Sequence, residues 1–184
     1  MQFWPEDASI FTIIKDSLIA GAALATALIA ACGVSTWRRK LRGKTEHEAA
    51  HRILVCSYAL RDAITRQRWA VWWAESPERV VAEDVWKPLW TAKAELEASL
   101  MEGEALWGKS AREAANSLLG CVNNLWEQAR LHWVHRDDQE WLDSDEGENA
   151  KSVCSSNQDA QEDSFRKEVL DAVAEIEKLV KPRL

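Results

Sequence analysis

The chain has 184 residues, with 30 acidic side chains against 23 basic ones and a formal charge of −7. That balance excludes a general nucleic-acid binder, which needs a basic surface. Cys32, Cys56, Cys121 and Cys154 are scattered with no C-x-x-C pair, which suits a reducing compartment better than a disulfide framework.

Residues 1–16 read as a short external tail and residues 17–37 as one transmembrane helix. No charge interrupts Leu18 to Thr36, and about 20 residues at 1.5 Å each cross roughly 30 Å of hydrocarbon. Trp37 suits the headgroup layer. Gly21 and Ala25, like Ala22, Thr26 and Ala30, recur every four positions and would let another membrane helix approach closely. The basic segment 38–44 follows at once with Arg38, Arg39, Lys40, Arg42 and Lys44, whereas Glu6, Asp7 and Asp16 outweigh Lys15 ahead of the run. Positive flanks stay in the cytoplasm, so the N-terminus is expected outside and residues 38–184 inside. Ile29-Ala30-Ala31-Cys32 also resembles a lipobox, and the alternative is a lipoprotein anchored at Cys32. A signal peptide, however, carries its positive charge before the apolar stretch.

Residues 45–142 read as a cytoplasmic helical bundle. Thr45 and Glu48 have capping-box spacing, and Ala49/Ala50, Ile53, Cys56/Ser57, Leu60, Ile64, Gln67 and Val71 mark the inward stripe of a helix over 46–75. Ser76-Pro77 ends it and opens a short segment over 77–86. From Leu89 to Trp133 apolar positions recur at helical spacing, which predicts a long helix or coiled coil with a bend or break near Gly120. The chain holds 11 tryptophans. Trp69, Trp72 and Trp73 share one helical face, as do Trp86 and Trp90, and they suit either seams between helices or a docking surface. Residues 143–162, acidic and rich in small polar side chains, read as a flexible linker. Residues 163–184 hold a last helix with Phe165, Val169, Val173, Ile176 and Leu179/Val180 on one face, available to the bundle or to another chain. No strand-like alternation occurs. The fold class is all-α, with one N-terminal transmembrane helix joined to an elongated antiparallel helical bundle or coiled coil.

Two short patterns mimic enzymes. His47-Glu48-Ala49-Ala50-His51 satisfies H-E-x-x-H, in which His47 and His51 hold Zn²⁺ and Glu48 activates its water. A catalytic zinc also needs a third ligand. Glu75, Glu78, Glu83, His132 and His135 are the available groups, none of them in a second ligand motif. Gly103-Glu104-Ala105-Leu106-Trp107-Gly108-Lys109-Ser110 satisfies the phosphate-loop pattern, but a helical stretch precedes it where the motif needs a strand. Arg42-Gly43-Lys44-Thr45 carries only its ending. No nucleotide is therefore expected.

Trp37 to Glu46, Tyr58 to Ile64 and Glu104 to Gly108 together resemble a group of uncharacterised bacterial single-pass inner-membrane proteins with a helical cytoplasmic region. The resemblance covers about residues 18–135. It implies location and helical fold but no activity and no catalytic residues.

The expected function is a membrane-anchored helical scaffold or protein-interaction module on the cytoplasmic face, without catalysis or cofactor. Its partners would be the lipid bilayer and another protein or a second copy. Trp69, Trp72, Trp73, Phe165, Val169 and Ile176 are the candidate contact residues, and Arg61, Asp62 and Tyr58 form a polar group able to pair across the bundle. The alternative is a zinc-dependent metallopeptidase.

Overall fold

The computed structural model describes residues 6–74, 76, 82–155 and 163–184. Among them the protein is all-helical: α1 (Glu6–Trp72), α2 (Glu83–Trp107), α3 (Ser110–Val134), α4 (Gln139–Leu142), α5 (Asp145–Cys154), α6 (Ser164–Val180) and a closing 3-10 turn (Lys181–Arg183). The chain divides into two compact units, Met1–Thr45 and Glu46–Leu184, and α1 contributes to both.

In the first unit α1 is long and apolar enough to cross a membrane, and none of its most apolar window is buried by protein. Leu18, Leu24, Leu28 and Ile29 are all exposed. Unburied aliphatic side chains at this density call for a nonaqueous surrounding. Thr26 donates its hydroxyl to the Ala22 carbonyl at 2.8 Å, which satisfies that polar group within the helix.

In the second unit the 3.6-residue stripe faces inward. Ile53, Leu60, Ile64 and Val71 are buried on α1, with Ser57 and Gln67 beside them. Helix α3 packs against α2, α5 and α6 and contributes Leu118, Val122 and Leu125 to the core. Trp86 is almost fully buried on α2. Its ring meets Trp126 of α3 edge-on at 4.6 Å and stacks on Trp90 at 6.1 Å, so the Trp86/Trp90 face forms a seam between helices.

Four sequence expectations change here. Thr45 does not cap a new helix: α1 runs through it, and its hydroxyl donates to the Leu41 carbonyl at 3.0 Å, one turn back. The long helix breaks at Gly108, not at Gly120. Gly108 has φ +71°, a region that favours glycine, and its N–H returns to the Glu104 carbonyl at 2.9 Å. Gly120 lies inside α3 with open space around it. Within the expected linker, Asp145 to Cys154 forms α5 and buries Gly147, Ala150, Val153 and Cys154. Ser144 caps α5 by accepting from the Gly147 N–H, and the acidic first turn complements the helix dipole. Finally, the Phe165, Val169 and Ile176 face of α6 is covered by the chain's own bundle, so in this fold it does not face a partner. The remainder of the expected linker, 156–162, and residues 77–81 of the segment expected at 77–86 lie outside the described residues, as do residues 1–5, while 83–86 form the start of α2.

Gly147 is held where a side chain does not fit. A Cβ there would lie 2.2 Å from the Trp141 carbonyl oxygen and 2.7 Å from the Leu142 Cα, both backbone atoms that cannot swing away. Gly147→Ala is expected to destabilise the protein by about 1–3 kcal/mol. Gly120→Ala, placed in open helix, should stabilise it by up to about 1 kcal/mol. Urea titration followed by near-UV circular dichroism compares the two.

Candidate functional site

Among the described residues of the second unit, Arg68, 4% exposed, carries an unusually dense set of hydrogen bonds. Its Nε donates to the Val153 carbonyl at 2.8 Å, and its Nη2 donates to the Ser152 carbonyl at 3.1 Å and also to the Ser155 carbonyl. Its Nη1 and Nη2 reach the two Asp163 carboxylate oxygens at 2.7 and 3.1 Å. A planar guanidinium is suited to so many fixed acceptors at once. The same Asp163 caps α6 by accepting from the Arg166 N–H at 2.8 Å. Phe165 completes the setting, with its ring centroid 5.2 Å from the guanidinium carbon. One α1 side chain thus joins the carboxyl end of α5 to the amino end of α6.

Above this latch a groove of about 640 Å³ runs between α1 and the start of α6. Ile64 and Val169 form its apolar floor, Trp69 and Leu170 border it, and Arg61, Arg66 and Arg166 supply its charge. Arg61 is engaged: its Nε donates to Asp62 at 2.9 Å and its guanidinium lies over the Tyr58 ring. Tyr58 in turn donates to Glu177 of α6 at 2.6 Å, so the expected cross-bundle pairing is made by the tyrosine while Arg61 stays with its neighbour. The hydrogen bond to Glu177 raises the Tyr58 pKa. Lys181 first, then Tyr58, lower that of Glu177.

The second surface feature is aromatic. Trp69, Trp72 and Trp73 are exposed, Trp73 most of all at 69%. Trp69 and Trp73 stack at 6.4 Å, and Trp72 stacks on His132 of α3 at 6.2 Å. Trp133 points inward near them and donates its indole N–H to the Val71 carbonyl at 3.4 Å. The neighbouring His135 stacks on Trp141.

Among the described residues the enzyme-like patterns lack their required settings. His47, Glu48 and His51 lie on the solvent side of α1 beside Arg52, which pairs with Glu102 of α2 at 2.6 Å. Among the described residues no three His, Cys, Asp or Glu side chains converge to hold a metal. His132 and His135 have the aromatic partners just given, Glu83 opens α2, and Glu75 and Glu78 lie outside the described residues. Gly103 is inside α2, where a Cβ would come within 2.7 Å of the Ile53 side chain, and the pattern's bulky Trp107 lies under Arg183. Glu104 pairs with Arg112 at 2.8 Å. This is a helix end turning into α3, not a strand delivering a phosphate cradle.

The cysteines remain free thiols. Burial pushes Cys121 and Cys154 up to about 12, with Glu168 adding to the effect at Cys121. Cys56 is raised by milder burial, partly offset by a hydrogen bond with Ser99. Cys32 is exposed within α1.

Two outcomes follow from this geometry. Arg68→Met leaves the Asp163 carboxylate and the carbonyls of Ser152, Val153 and Ser155 without their cation, and the expected cost is about 3–5 kcal/mol. Hydrogen exchange should locate the lost protection in α5 and α6, and a fall confined to α1 would contradict the latch. His132, its Nδ1 buried without a hydrogen bond, has its pKa lowered by desolvation and then by Lys151. The unfolded chain therefore binds a proton first as pH drops. Stability should be fully present above about pH 6.5 and decline as pH falls through the lower folded-state value. In urea titrations across pH, that decline should be smaller in His132→Phe.

No protein-family model, curated protein or solved structure matches this chain.

Proposed function

We propose that this chain is a membrane-tethered, non-catalytic interaction module. It is an all-helical protein with one helix suited to crossing a membrane and, among the described residues, no metal-binding cluster. The observation that carries the proposal is the pairing of an unburied apolar stretch in α1 with a folded unit that leaves three tryptophans on its surface. Large exposed aromatics at one place are the usual makings of a contact surface. In this reading α1 crosses the inner membrane of a bacterial cell once. Arg38, Arg39, Lys40, Arg42 and Lys44 hold the following residues in the cytoplasm, and the tryptophan face meets another protein. The resemblance to bacterial single-pass proteins belongs to the same proposal, and the lipobox-like Cys32 is then an ordinary helix residue.

Orientation and contact are tested together in cells. A protease site placed after Leu184 should be cut only in inside-out vesicles, and replacing the five basic residues by glutamate should expose it on the opposite side in a substantial fraction of molecules. Cutting of the unaltered chain from the outer side would overturn the orientation. A photocrosslinker at position 73 should give a discrete adduct that position 120, on α3, does not. Equal or absent adducts at the two positions would remove the tryptophan face from the proposal.

A further inference from the structure

The groove between α1 and α6 has a charge that the described residues do not neutralise. Four arginines line it against two aspartates, Asp62 and Asp163. Asp163 is consumed by Arg68, and Asp62 is engaged by Arg61. Arg66 and Arg166 remain, both exposed. Neither guanidinium makes a hydrogen bond or ion pair with the described residues. Two cations without an ionic partner among the described residues therefore border one apolar floor, in a molecule whose formal charge is −7.

Arg66 and Arg166 come from different helices, one on each wall. The latch beneath them fixes how those walls meet, because Arg68 lies two residues from Arg66 and Asp163 three residues from Arg166. The helix walls are thus fixed before a ligand arrives, and only the two exposed arginine side chains have to order on it. Along α1 it extends from Arg61 to Trp69, roughly 12 Å of helix axis and about two turns of a peptide helix. Unpaired guanidiniums favour carboxylates, which they hold by paired charge-assisted hydrogen bonds. The floor of Ile64 and Val169, with the half-exposed Leu170, favours an aliphatic side chain between those carboxylates.

We propose that this groove binds an acidic amphipathic peptide segment of a partner protein, with carboxylates on Arg66 and Arg166 and an apolar side chain on the floor between them. This deepens the interaction-module reading and rests on it, at a groove that adjoins the tryptophan face through Trp69 but that Trp72 and Trp73 do not line. Helix-in-groove recognition supplies the physical precedent.

The test is selection of displayed random twelve-residue peptides on the full chain in nanodiscs of zwitterionic lipid, after depletion on empty nanodiscs. Enriched peptides should carry Asp or Glu about one helical turn apart around a Leu, Ile or Phe. Their affinity should fall at least about tenfold for Arg66→Gln/Arg166→Gln, while the thermal midpoint of that variant is unchanged. Trp72→Ser/Trp73→Ser should leave it intact. Enriched peptides without acidic bias, or bound equally by the arginine variant, would overturn the groove. If those peptides are lost instead in the tryptophan variant, the groove fails while the interaction-module reading stands. Selection of no peptide counts against both. Binding abolished when the nanodiscs carry anionic lipid would assign the groove to headgroups and overturn the peptide assignment.

Discussion

The folded unit depends on one buried guanidinium. Arg68 places its donors on carbonyls of Ser152, Val153 and Ser155 and on both oxygens of Asp163. Taking a charged group out of water is costly, and such a pair persists only when its hydrogen bonds are satisfied and its geometry is good. Both conditions are met here. Because Asp163 also caps α6, the end of one helix and the start of the next are settled by the same carboxylate.

Around that latch, packing and aromatic contacts divide the work. Helix α3 gathers α2, α5 and α6, while the Trp86, Trp90 and Trp126 cluster fixes α2 against α3. Tryptophans used this way bury area and restrict geometry together. Trp69, Trp72 and Trp73 break the pattern: they stack on one another and on His132 yet remain open to solvent. The contrast between sealed and open tryptophans separates structural use from surface use within a single residue type.

The sequence was informative where the cause of structure is local. The stripe from Ile53 to Val71 follows from helical period alone, and Asp163 stands at the beginning of α6 as its composition suggests. Helix α5 was hidden because its buried positions are Gly147, Ala150, Val153 and Cys154, side chains small enough to be outweighed by surrounding acids. The break at Gly108 was hidden for another reason. Every glycine weakens a helix alike, but only the hairpin between α2 and α3 decides which one takes positive φ. At the site, spacing showed that Trp69, Trp72 and Trp73 share one helical face but not that this face is exposed. Arg68 was not, since Asp163 is 95 residues away and nothing local distinguishes it from Arg66, two positions earlier. Nor could the groove be read, because it exists only once α6 lies beside α1.

The two deeply buried thiols have a consequence of a different kind. Cys121 and Cys154 sit on α3 and α5, protonated well past neutral pH, and only the thiolate is nucleophilic. Alkylation at either position must wait for the helix around it to come away from its neighbours. Cys154 follows Val153, whose carbonyl Arg68 holds, so its modification would count openings of the latch, whereas Cys121 would count departures in the middle of α3. The protein thus carries two internal clocks for local unfolding, readable by mass spectrometry of the alkylated thiols without changing a residue.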